Sequence, residues 1–200
     1  MTKGYELFLP AIAAVAFPKK KSDDHLNEPE FVQVVAVTFR DAVTQFMKDS
    51  LLYRIEMPVD LYKGVKRYEL TPPDGWLVED VVGFKTYKTH IPDNSYDNEN
   101  LWLTCCPTRD IEQAFYVELA LIPKRSHNCK FDEDFLERYY DVIMANMMMR
   151  FSAMTERSWR SFGVMREHQR EYKNKLGQAK RRSMNDGGKL YLKSKRISDG

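Results

Sequence analysis

The chain has 200 residues, 43% of them apolar and 12% aromatic, which supports one large domain or two small ones and excludes disorder over most of its length. Charged residues make up 30% and nearly cancel, with 31 Lys and Arg against 29 Asp and Glu, so a net of +2 gives no ground for a nucleic-acid binder. The charge is placed unevenly: from Arg157 onward the chain carries about +9, which leaves about −7 for everything before it.

Residues 5–16 read as a short apolar helix closed by Phe17-Pro18. Glu6 beside this run and Pro10 inside it argue against a signal-peptide core and for a buried helix. A polar connector, residues 19–27, follows. Pro29 then stands where a first helical turn tolerates proline, and Phe31, Val34, Val35, Thr38, Ala42 and Phe46 recur at helical spacing to about Leu51. Tyr53, Ile55 and Met57 alternate with Arg54 and Glu56 before Pro58, the period of a half-buried strand. Residues 66–70 alternate too, Pro72-Pro73-Asp74-Gly75 is a turn, and residues 77–90 are strand-rich. Residues 92–100 read as a polar loop. Residues 101–105 and 114–122 read as the last two strands, joined by a connection short enough to suggest a hairpin.

Helix returns at Asp132-Glu133-Asp134, whose acids suit the positive end of a helix dipole, and continues through Phe135, Tyr139, Val142, Ile143, Met147, Phe151 and Met154. A last helix runs from Trp159 with Phe162, Met165, Tyr172, Leu176 and Ala179 on one stripe and turns basic at Lys180-Arg181-Arg182. With no alternation of single strands and helices, the class is α+β: a helical bundle from residues 1–51 and 126–186, a β-rich insertion at 52–125, and a tail at 187–200. Phe31, Phe46, Tyr139, Ile143, Trp159 and Phe162 are its expected packing residues.

The chemistry is sparse. Three cysteines, an odd count in a chain of this size, point to a reducing cytoplasm, and no apolar run is long enough to span a bilayer. His25, His90, His127 and His168 neighbour no nucleophile in a recognisable motif, and the scattered glycines form no phosphate-cradling loop, so neither an enzyme nor a cofactor site is expected. Cys105, Cys106, His127 and Cys129 are zinc-type ligands, but adjacent strand residues point to opposite faces, so small buried thiols without a metal are expected. The acids Glu79-Asp80 carry no catalytic pattern, and Met147-Met148-Met149 reads as core filler rather than an adaptable surface. The basic last helix admits phosphate contacts, which keeps nucleic-acid binding as the alternative function, although a solvated or protein-docking face is the expectation. Lys189-Leu190-Tyr191-Leu192-Lys193 alternates like a strand with no partner of its own, so the tail, with Lys195 and Arg196, is expected to add to the sheet edge or groove of another protein with an acidic surface.

One group of local signatures points to a family: Leu101-Trp102-Leu103 with Cys106-Pro107, residues 115–123, then Phe135-Leu136 and Tyr139 on a helix running through residues 145–154, then Ser158-Trp159 and a basic helix ending in Ala179-Lys180. With Ala42-Val43, Phe46 and Tyr53 at the front, the chain resembles, over residues 28–179, the head-to-tail adaptor (connector, or neck) proteins of tailed bacteriophages. Met147-Met148-Met149-Arg150 and Ser158 stand where that family usually has a small residue followed by Leu and a Pro before Trp. The resemblance implies a non-enzymatic homo-oligomeric ring, commonly a dodecamer, made in the host cytoplasm and built into the virion neck. Its implied partners are the portal protein, a tail or nozzle protein, and genomic DNA passing without sequence specificity. No membrane is involved. An acid-rich body fits a DNA-conducting channel, because like charge keeps the genome off the wall.

Overall fold

A computed structural model describes residues 3–16, 29–86, 91–125, 131–154, 162–185 and 191–192. The chain is α+β and divides into two compact units, residues 1–50 with 128–185 and residues 51–127 with 186–200. The chain therefore enters the strand unit after one set of helices and leaves it for another.

The first unit begins with a 3-10 turn, Lys3–Leu7, and helix α1, Leu9–Ala16. Helix α2, Pro29–Ser50, buries Phe31, Val35, Phe39, Ala42, Val43, Phe46 and Met47 on one face, the three-to-four spacing its sequence shows. Helices α3, Glu133–Arg138, and α4, Tyr140–Ala153, meet at Tyr139, whose φ of −112° and ψ of 17° interrupt what the sequence reads as one continuous helix. The hydrogen bonds still run through the junction, since Tyr139 N donates to Phe135 O and Ile143 N to Tyr139 O. Asp132 caps α3 by accepting from Asp134 N at 3.0 Å. Helix α5, Phe162–Asn185, packs chiefly on α4 and also on α2. The core is aromatic: the Phe46 ring lies 5.1 Å from Tyr139 and 5.8 Å from Phe135, and Phe8 stacks on Tyr140 at 4.7 Å. Gly4 lets the 3-10 turn approach this core closely: a Cβ there would stand 2.8 Å from Leu136 Cδ1 and 3.0 Å from Phe39 Cζ, so those side chains would have to shift.

The second unit holds strands β1 (Arg54–Leu61), β2 (Arg67–Glu69), β3 (Trp76–Lys85), β4 (Asn94–Tyr96), β5 (Asn100–Leu103), β6 (Ile111–Pro123) and β7 (Tyr191–Leu192). One sheet has the order β3-β6-β1-β7 and the other β2-β5-β4. The hairpin expected between β5 and β6 does not form, because those strands belong to different sheets: β6 lies between β1 and β3, while β5 lies between β2 and β4. The 13 residues of β6 are mostly buried and give both neighbours a full-length apolar partner, which outweighs a local turn. The loop expected at residues 92–100 contains β4, paired with β5 through Asn94↔Leu103, Ser95↔Trp102 and Tyr96↔Leu101.

Strand β1 does not stop at Pro58. Tyr53 O accepts from Leu121 N, and with Tyr53 opposite Leu121 the odd residues of β1 turn their backbone groups toward β6. Pro58 therefore turns its nitrogen to the outer edge, where a missing N–H costs no bond to β6. A bulge follows, as the register shifts between Val59 and Leu61. Gln113 opposite it has φ of 47°, held by its N–H donating to Asp60 Oδ1 at 2.7 Å. The turn at residues 72–75 closes with Gly75 at φ 84° and Trp76 N on Pro73 O at 3.1 Å, placing Trp76 in a stack 4.6 Å from Tyr53.

Candidate functional site

Alternation along the β3-β6-β1 sheet sends Ile55, Met57, Val59, Phe115, Val117 and Leu119 into the strand-unit core and Arg54, Glu56, Lys85 and Glu118 to the other face. Glu56 and Glu118 stand directly opposite each other, a like-charge pair that would be unfavourable alone. Lys85 Nζ bonds Glu56 Oε1 and lies 3.9 Å from Glu118 Oε2, while Arg54 reaches Glu118 Oε1 at 3.3 Å. Two cations thus balance two carboxylates, an arrangement that ties three strands together. The signal for it was the charged half of the β1 alternation.

In the helical unit a second polar group joins α2, α4 and α5. Tyr172 Oη donates to Asp49 Oδ2 at 2.7 Å, and Gln45 Nε2 donates to Asp49 Oδ1 at 2.8 Å. Asn146, fully buried, donates to Ala42 O at 3.4 Å and accepts from Arg150 Nε at 2.9 Å. Burial, then the Asp49 carboxylate, pushes the Tyr172 phenol far above its ordinary range. This group fixes how three helices mesh.

The surface of the same unit is strongly polarised. A cavity of about 410 Å³ lies where the 3-10 turn meets α3, lined by Gly4, Leu7, Phe131 and Leu136 and by the acidic residues Glu6, Glu133 and Glu137. Asp134 and Asp141, both exposed, extend the acidic surface along α3 and into α4. On α5, by contrast, Arg166, Arg170, Lys173 and Arg181 are exposed at spacings of four, three and eight residues, which keeps them on one stripe. Tyr172, Ala179 and Ser183 form the buried side of that helix. Glu171 lies on the flank between the two, held by Lys175 Nζ at 2.7 Å and His168 Nδ1 at 3.1 Å, and those contacts, Lys175 first, lower its pKa.

Of the residues expected to pack the helices, Phe31, Phe46, Tyr139 and Ile143 are buried. Phe162 is not: it is 56% exposed, because it opens α5 well off the arc that Tyr172 and Ala179 bury. Trp159 lies outside the described residues. The thiols of Cys105 and Cys106, expected to be buried, are both exposed and free, since β5 ends at Leu103 and leaves them in the following turn with no sheet face to enter. Cys129 and His127 lie outside the described residues, and among those residues no three His, Cys, Asp or Glu gather as a metal site. Met147 and Met148 are buried and Met149 partly so. Tyr191 and Leu192, expected to lack a partner in the chain, pair in parallel with Arg54 and Ile55 of β1, because the outer edge of that strand offers them free backbone groups. Lys189, Leu190, Lys193, Lys195 and Arg196 lie outside the described residues. Among the described residues no helix is long and apolar enough to cross a membrane.

The sequence reading missed the acid-lined cavity. Its lining comes from residues 4–7 and 131–137, more than a hundred positions apart, and only the acidic start of α3 announced it. No family model matches the chain, and no curated protein matches it.

Proposed function

We propose that the chain is a structural, non-enzymatic adaptor of a tailed-phage neck. Copies of it form a ring that joins the portal to the tail or nozzle and lines the DNA exit channel. In this reading α2, α4 and α5 are the ring-building bundle, and the strand unit is an inserted module that meets a neighbour. The observation that carries the reading is the separation of charge and apolar lining on the helical unit, with the acid-lined cavity at α3 and the basic stripe on α5. Opposite patches on different elements of one chain suit assembly from copies. The sequence resemblance and the insertion of strands between two sets of helices support it as well.

Native mass spectrometry of the purified chain, alone and with portal protein, tests the proposal. A closed multimer that binds portal is the expected result, and a chain that stays a monomer in both mixtures rejects it. The stripe on α5 also favours a second reading, a nucleic-acid binder contacting phosphates through Arg166, Arg170, Lys173 and Arg181. A DNA gel shift that weakens steeply with salt would support that reading.

A further inference from the structure

We propose that the acid-lined cavity between the 3-10 turn and α3 receives the basic stripe of α5 from a second copy of this chain, in a head-to-tail contact. The inference rests on the ring-forming reading and assigns its interface.

The cavity is lined by apolar and acidic residues together, Leu7, Phe131 and Leu136 with Glu6, Glu133 and Glu137. The three acids and Leu7 are exposed, while Phe131 and Leu136 are buried. An apolar occupant would strip water from the acids without replacing it, and a small cation would leave the apolar lining wet. A long basic side chain satisfies both, with a methylene stem for the apolar lining and a cationic head for the acids.

Such side chains stand on the same unit. Among the described residues, Arg166, Arg170, Lys173 and Arg181 form no ion pair. They run along about 22 Å of α5 at its helical rise. Their own cavity is beyond them: the stripe faces away from the side of α5 that Tyr172, Ala179 and Ser183 bury, and the contact must come from another molecule.

A second feature of α5 agrees. Gly177 lies on the same stripe, four residues beyond Lys173 and four before Arg181, and a Cβ built there meets nothing within 4 Å. The chain's own packing therefore gives no reason for a glycine inside this helix, where it is unfavourable. Close approach of another copy's surface, here the wall formed by the 3-10 turn and α3, gives one.

Because donor and acceptor surfaces are different patches, the contact is heterologous and propagates until the subunits close a ring. Charge reversal tests it in full-length protein by native mass and light scattering, with circular dichroism and melting as controls for folding. Glu133→Lys with Glu137→Lys is expected to reduce the multimer to subunit mass, as is Arg166→Glu with Arg170→Glu. Mixing the two variants in equal amounts is expected to restore the multimer, because each then presents the patch the other needs. A chain carrying all four reversals is expected to assemble alone. Variants that multimerise as the wild type does would overturn the interface and leave the ring reading standing. A mixture that stays at subunit mass would overturn the pairing of these two patches. A wild-type chain that remains monomeric, with and without portal, would overturn both. A base-reversed variant that keeps its multimer but loses a salt-sensitive shift of duplex DNA would assign the stripe to nucleic acid and overturn the proposal.

Discussion

Tyr172 on α5 donates its phenol hydrogen to Asp49 on α2 across 2.7 Å, joining residues 123 positions apart in the sequence. Burial and the neighbouring carboxylate hold that phenol protonated in the folded chain well beyond the pH at which an unfolded tyrosine ionises. The stabilisation is fully present below about pH 10, the unfolded value. Above it the unfolded state releases the proton first and the stabilisation is lost. Tyr172→Phe is expected to cost about 1.5–3 kcal/mol at pH 7, the range for a hydrogen bond to a charged acceptor. It should also flatten the loss of stability between neutral and alkaline pH. Urea unfolding of both proteins at pH 7 and near pH 11 checks this; equal alkaline slopes would show that the phenol does not carry the effect.

Phe46→Asp and Ile143→Asp each place a carboxylate at a fully buried position of the helical unit. No described cation is bonded there, so each is expected to cost about 3–5 kcal/mol or more. An unchanged melting temperature for both would contradict a core built on α2 and α4.

Asp97 holds the turn from β4 to β5, accepting from Glu99 N and Asn100 N at 2.7 Å each. The bond from Glu99 is the largest influence and lowers its carboxyl pKa; desolvation opposes it, and the bond from Asn100 adds to the lowering, which prevails. The hairpin is therefore held above the ordinary carboxylate value and loosens as pH falls through the lowered one. Protection of the Glu99 and Asn100 amides, measured as exchange relative to the intrinsic rate at each pH, should fall in acid in the wild type. In Asp97→Ala it should be low at every pH.

Gly177→Ala separates helix stability from assembly. Replacing glycine inside α5, where a Cβ meets nothing within 4 Å, is expected to stabilise the subunit by about 0.5–1 kcal/mol. The same methyl group should weaken the multimer if a second copy sits against that stripe. A more stable subunit that assembles as before would place Gly177 in solvent in the assembled state.

The sequence made the helices and strands legible where one face is buried, because periodicity reports burial directly. Phe31 to Phe46 and Tyr53 to Met57 showed their class for that reason. Pairing was illegible where long-range partners decide it. The stretch before β6 reads as a hairpin, yet β6 pairs with β1 and β3, strands that begin 57 and 35 residues before it. How β1 accommodates Pro58 was illegible too, because the sequence does not say which side of a strand faces outward. Tyr139 kept helical spacing and helical hydrogen bonds, so nothing in the pattern marked the break in its dihedrals. Of the candidate interaction surface, the basic half stood out as a charge run on one helix, and the acidic half stayed hidden because two distant segments build it.

Pro58 has a consequence for crowding. In the proposed ring many copies of one sheet would stand close together, where an open strand edge invites runaway fibre growth. Among the described residues, strand β7 pairs with the outer edge of β1 at Arg54 and Ile55, and the next outward-turned residues of β1 are Glu56 and Pro58. A would-be strand from another chain meets an acid and then a position with no donor. The proline that leaves the bonds to β6 intact thus gives the other edge a position with no donor, which in the proposed assembly would work against the sheets of neighbouring copies fusing.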